Sequence, residues 1–174
     1  QRGQTLRIGA LCTHTWVEED ALVGQFFPAL RDACGNVGSK QIRNRGTLGG
    51  SIGNASPAGD IYPVLLALDA SAQTINSTGT IRVIPAAELI AGIGKTVLRR
   101  DEVITEFVLP IPDRNAVSAF AKLGERAKVT IAKINLAAAL ELQGGHITAA
   151  KIVLGAVSEK AFFSARAQEF LMGR

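Results

Sequence analysis

Apolar and polar positions along this chain change period several times, and those changes divide it into elements. Leu6 to Ala10 alternates as a short strand does. Thr15-Trp16-Val17-Glu18 reads as a capping box, with Thr15 the N-cap and Glu18 its reciprocal partner, opening a helix to about Leu22. Pro28 at a first helical position starts another over Ala29 to Cys34. Gly35, Gly38 and the glycine run after them interrupt regular structure. Ile61 to Leu68 is an unbroken apolar segment, and Asp60 is placed to cap it as a helix.

Ala70 to Asn76 alternates loosely, Ser77-Thr78-Gly79-Thr80 is turn chemistry, and Ile81 to Ile84 resumes as a strand. Pro85 to Ala91 predicts a short helix. Val97-Leu98 and Val103 to Leu109 predict strands joined by the charged turn Arg99 to Glu102. Pro110 and Pro112 punctuate a boundary, giving domains over 1–112 and 113–174. Val117 to Lys122 then reads as a strand. The alanines of Asn135 to Leu142 favour helix, yet Gly144-Gly145 joins that segment to the β-rich stretch Ile147 to Val157, a hairpin signal that makes it a strand. Phe162 to Met172 closes the chain as an amphipathic helix. Sheets with packed helices and no regular βαβ alternation give an α+β class: a mixed or antiparallel sheet with helices, then a smaller α+β domain with an antiparallel sheet.

Composition narrows the function. Apolar residues make up 47% and charged residues 20% of the 174, which excludes a disordered chain. The net charge of +4 is scattered, and one Trp and one Tyr with no basic stripe give no nucleic-acid signature. Cys12 and Cys34 lack a paired or metal-ligand spacing, so no disulfide framework or iron–sulfur cluster is built here; their scarcity points to a reducing compartment. His14 and His146 are too few and too distant for a metal site and read as surface or capping residues. No apolar stretch is long enough for a membrane span, and no signal peptide opens the chain.

The densest chemistry lies in Arg43 to Asp60, with five glycines in eighteen residues. Stripped of Cβ atoms, such a loop lets backbone N–H groups approach a bulky anion. Thr47, Ser51, Asn54 and Ser56 add hydrogen-bonding side chains, and the Asp60 carboxylate suits sugar hydroxyls. The pattern predicts a cradle for a phosphate-plus-sugar cofactor; the bland alternative is a surface turn with no ligand. Gly94-Lys95-Thr96 ends like a P-loop, but Leu89 stands where its first glycine belongs. Gly49-Gly50-Ser51-Ile52-Gly53 fits the G-x-S-x-G elbow of a serine hydrolase, with His146 downstream, although polar Lys40 to Arg45 precedes it instead of a buried strand.

Beyond the loop, four segments are similar to one family, and together they cover nearly the whole chain. Leu6-Arg7-Ile8-Gly9-Ala10 with Thr13, the loop Arg43 to Asp60, Asp101-Glu102-Val103-Ile104 with Phe107 to Pro112, and Phe120 to Arg126 resemble the FAD-binding subunit or domain of the molybdenum hydroxylases, such as xanthine dehydrogenase and aerobic carbon monoxide dehydrogenase. The resemblance implies the second part of an FAD-binding domain over 1–112 and an incomplete carboxyl-terminal domain after it, with another glycine-rich flavin loop upstream. It implies FAD contacts from Thr47, Leu48, Gly49, Gly50 and Ser51 at the pyrophosphate, and from Asn54. Asp60 would bond a ribityl or ribose hydroxyl. Val37 and Gly38 stand where relatives place an aromatic residue by the flavin ring, and Ser51 where many have Asn. Ile104 resembles a position near adenine, Ile131 one near the isoalloxazine ring, and Lys122 a lysine beside the cofactor. No catalytic side chain is implied. The implied assembly is cytoplasmic, a dimer of heterotrimers with a large molybdenum-pterin subunit and a small subunit carrying 2Fe–2S clusters. Electrons would pass to NAD, oxygen or quinone.

Overall fold

The computed structural model describes residues 4–126 and 129–174. Strand β1 (Thr5–Gly9) leads into six short helices: α1 (His14–Glu19), α2 (Ala21–Phe26), α3 (Pro28–Gly35), α4 (Lys40–Arg43), α5 (Leu48–Asn54) and α6 (Ile61–Ala67). Then come β2 (Ser71–Asn76), β3 (Ile81–Pro85), α7 (Ala86–Leu89), β4 (Ile90–Gly92), β5 (Lys95–Thr96) and β6 (Glu102–Pro110). The chain closes with β7 (Ala116–Gly124), β8 (Ala132–Gln143), β9 (His146–Gly155), β10 (Phe162–Phe163) and α8 (Ala165–Leu171).

Two four-stranded antiparallel sheets result, ordered β1-β6-β2-β3 and β10-β9-β8-β7, with β4-β5 as a separate small hairpin. The class is therefore α+β, as the patterning predicts. Helix α3 lies on β7, and α6 lies on β8 and β9. Their apolar flanks share one core with the first sheet: Phe27 from the α2–α3 junction, Leu30, Val64 and Leu65 from the helices, Ala72, Phe107 and Leu109 from one sheet, Ala137 and Val153 from the other. Each large side chain so removed from water contributes about 1.5–3 kcal/mol. The second sheet also finishes a helix end that belongs to the amino-terminal half. Phe27 offers no side-chain cap to α3, and the Ala29 amide donates instead to Ser118 Oγ on β7, 3.3 Å away.

Several local readings shift. The cap of α1 is Thr13, whose Oγ1 accepts from the Trp16 amide; Thr15 donates to Asn44 Oδ1 at 2.7 Å, and Glu18 pairs with Arg43. Asp20 caps α2 through the amides of Leu22 and Val23. The glycine run is not an open loop. It folds as α4, a short connection and α5, because Ser39 and Thr47 each accept from a first-turn amide and start a helix. The strand expected at Val97-Leu98 falls at Lys95–Thr96, paired with Ile90–Gly92. The closing helix loses Phe162 and Phe163 to a short strand on β9. Among the described residues no helix is long and apolar enough to cross a membrane, and no His, Cys, Asp or Glu cluster could hold a metal ion.

Candidate functional site

A cleft of about 400 Å³ opens where the α3–α4 connection, α5, the start of α6 and β7 converge. Val37, Gly38, Ser51, Asn54, Asp60, Lys122 and Ile131 all line it. Residues from distant stretches of the chain thus meet in one place. Ile42 and Ile131 are largely exposed, apolar side chains beside a polar floor.

That floor is built on a buried ion pair. Lys122 Nζ lies 2.6 Å from Asp60 Oδ2, with the two side chains 5% and 7% exposed. Lys122 also donates to the Asn36 carbonyl at 3.1 Å, so β7 is tied to the end of α3 as well as to α6. Asn135 Nδ2 donates to Asp60 Oδ1 at 3.1 Å and to the Gly59 carbonyl at 3.2 Å. Burial raises the Asp60 pKa above the ordinary carboxylate value, and the Lys122 and Asn135 hydrogen bonds pull against it without cancelling it. Although Asp60 stands at the N-cap position of α6, its carboxylate makes no capping bond, because Lys122 and Asn135 hold it. A carboxylate has about four acceptor sites, so it keeps capacity for a ligand hydroxyl.

The expected diphosphate cradle of bare amides is not what α5 presents. The amide of Gly46 donates to the Ile42 carbonyl, Leu48 to Cys12, Gly49 to Ala10, Gly50 to Thr47 Oγ1, and Ser51 to the Thr47 carbonyl. The physical reason is that the run pairs with the β1–α1 connection and coils, using its donors internally. Leu48 is wholly buried in the core. Thr47, Leu48, Gly49 and Gly50 do not line the cleft, and Ile104 lies on β6 opposite Thr74, packed against the core. What the glycines do leave is a bare flank. Nothing lies within 4 Å of a Cβ placed on Gly53, and one on Gly50 meets only Thr47 Oγ1, at 3.0 Å.

Two polar residues escape the sequence reading. Asn135 interrupts an apolar strand, and that interruption is the signal that could have found it. His14 is buried, contrary to a surface or capping role, and its Nε2 lies 2.9 Å from Ser51 Oγ. Desolvation, with the Arg43 charge second, lowers its pKa to about 4. The hydrolase geometry is absent: Ser51 sits inside α5 and not on a strand-to-helix elbow. His146 bonds the Gly173 carbonyl, and His14 Nδ1 meets no acid.

Aliphatic rims over hydroxyl, amide and carboxylate groups are a donor set that fits part of a flavin nucleotide, with its flat ring and its polyol chain. The comparisons agree. Residues 1–112 match the family described as the FAD binding domain in molybdopterin dehydrogenase, and residues 118–174 match the CO dehydrogenase flavoprotein C-terminal domain. The chain is similar to the nicotinate dehydrogenase FAD-subunit of Eubacterium barkeri, 34% identical over 97% of this chain and 58% of that protein. It is also similar to the glyceraldehyde dehydrogenase medium chain of Sulfolobus acidocaldarius, 30% identical over 96% of this chain and 58% of that one. In structure it is similar to quinoline 2-oxidoreductase from Pseudomonas putida 86, with a TM-score of 0.91 and 34% identity over 100% of this chain and 60% of that chain. The chain spans less than two thirds of each of these relatives.

Proposed function

The chain belongs to the FAD-binding family of the molybdopterin dehydrogenases, and on that premise we propose that it is the flavin-holding, electron-transferring component of a molybdenum hydroxylase. In this reading a large subunit oxidises substrate at a molybdenum-pterin centre, and a small subunit relays electrons through 2Fe–2S clusters. This chain delivers them through its FAD to NAD, oxygen or quinone. The assembly is a cytoplasmic dimer of heterotrimers, and the chain divides into an FAD-binding region over 1–112 and a carboxyl-terminal region over 113–174.

FAD supplies the redox chemistry when bound; the residues here bind, orient and shield it. The observation that carries the reading is the convergence of Ser51, Asn54 and the Asp60–Lys122 pair beneath Val37 and Ile131 in one cleft. Val37, Gly38 and Ile131 cover a flat ring by apolar contact. Asp60 accepts from a hydroxyl while Lys122 and Asn135 fix its two oxygens in place. Ser51 and Asn54 offer a hydroxyl and an amide to a polar group from the same wall. Thr47 contributes by holding the Gly50 amide and so setting the start of α5. No side chain acts as nucleophile or proton donor. The test is the visible spectrum of the protein purified with its partner subunits. A bound-flavin spectrum is expected, and a colourless protein that takes up no added FAD would overturn the proposal.

A further inference from the structure

His14 is 1% exposed, its Nε2 is 2.9 Å from Ser51 Oγ, and its Nδ1 is buried with no hydrogen-bond partner among the described residues. Ser51 lines the cleft, so this imidazole reaches the site through the Ser51 hydroxyl. Desolvation and Arg43 keep the ring neutral near pH 7, leaving one N–H and one bare nitrogen. Two tautomers follow, and they make Ser51 opposite things. With the proton on Nδ1, a buried donor is orphaned, Ser51 gives its proton to Nε2, and only oxygen lone pairs face the cleft. With the proton on Nε2, His14 donates to Ser51 Oγ, the orphan is a lone pair, and the serine proton is released to the cleft. Orphaned buried N–H groups are the rarer defect, because an acceptor left under-satisfied is better tolerated than a donor.

We propose that His14 holds its proton on Nε2 and thereby fixes Ser51 as a hydrogen-bond donor into the cleft, selecting a ligand that presents an acceptor oxygen there. His14 is then a positioning residue, acting through Ser51. The proposal rests on the cleft being the flavin site for the identity of the ligand, and on the His14–Ser51 geometry for the polarity of the bond.

The experiment has two arms on the full chain. Nitrogen-15 NMR of the imidazole reads the tautomer without any ligand. A protonated Nε2 and bare Nδ1 are expected, and the reverse overturns the proposal. The second arm titrates FAD. Ser51→Ala and His14→Leu are expected to weaken binding by about 2- to 10-fold, the effect of one neutral hydrogen bond. His14→Gln, which keeps an N–H near the Nε2 position, is expected to stay within about twofold of the parent. Unchanged affinity in Ser51→Ala, or equal loss in His14→Gln and His14→Leu with both folded, overturns it. If the parent binds no FAD, the cofactor reading falls while the NMR arm still decides the tautomer.

Discussion

Gly49 lies so close to Ala10 that a Cβ on residue 49 would sit 2.8 Å from the Ala10 Cβ and 2.9 Å from its carbonyl oxygen. The contact pins α5 to the β1–α1 connection, and only a residue without a side chain permits it. Gly49→Ala is therefore expected to cost about 1–3 kcal/mol by overpacking. Gly53→Ala, in open space within the same helix, is expected to be neutral or stabilising by up to about 1 kcal/mol. Urea denaturation of the two variants checks this; equal destabilisation would contradict the assignment of distinct roles.

Removing one member of the Asp60–Lys122 pair strands the other. Lys122→Met is expected to destabilise by about 3–5 kcal/mol, and Lys122→Met with Asp60→Leu to recover much of that. The single variant's penalty shrinks as pH falls, because a carboxyl already raised by burial escapes it by taking a proton. Denaturation midpoints at several pH values, for single and double variants, read the effect.

Glu102 is the acid sensor of the first sheet. It accepts from Arg82, from Thr74 Oγ1 at 2.5 Å and from the Arg99 amide, and its pKa drops to about 2 with the Arg82 hydrogen bond the largest cause. A depressed folded value means stability present above the unfolded pKa and lost as pH falls through the folded one. Melting temperature is expected to decline from about pH 4.5 to about pH 2, with a flatter decline in Glu102→Gln.

His14 titrates in a different window and by the opposite chemistry. A base whose folded pKa is lowered to about 4 from 6.5 leaves the unfolded chain holding more protons between those values. Stability therefore rises with pH across that range, by up to about 3 kcal/mol from this one group. His14→Gln is expected to remove that slope and leave the Glu102 region untouched, which calorimetry across about pH 2 to 7 (the span of both transitions) would show.

Much of the fold is legible in residue order. Strands at Leu6, Ala70, Ile81 and Val103 follow from alternation, and Gly144-Gly145 correctly overrules the alanines of β8, because a hairpin turn and a facing strand outweigh weak helix propensity. Val37, Ser51, Asn54, Asp60, Lys122 and Ile131, named from separate stretches of sequence, line one cleft. What fails is local and physical. Glycine density reads as exposed amides, when close packing against Ala10 needs the same residues. The capping box read at Thr15 fails because Thr15 bonds Asn44, which another element supplies, and Thr13 caps α1 instead. Burial of His14 depends on Gly46 and Ser51 arriving from more than about thirty residues away, which no window around position 14 reveals.

Because a single β7 lysine serves both the carbonyl of Asn36 and the carboxylate of Asp60, the prolines at 110 and 112 mark a border along the sequence and not in the solid. A protease or a protein engineer cutting there would divide halves that finish one another's wiring. Recombination among relatives has reason to move them as a matched set, and a nicked chain should hold together until denaturant is added.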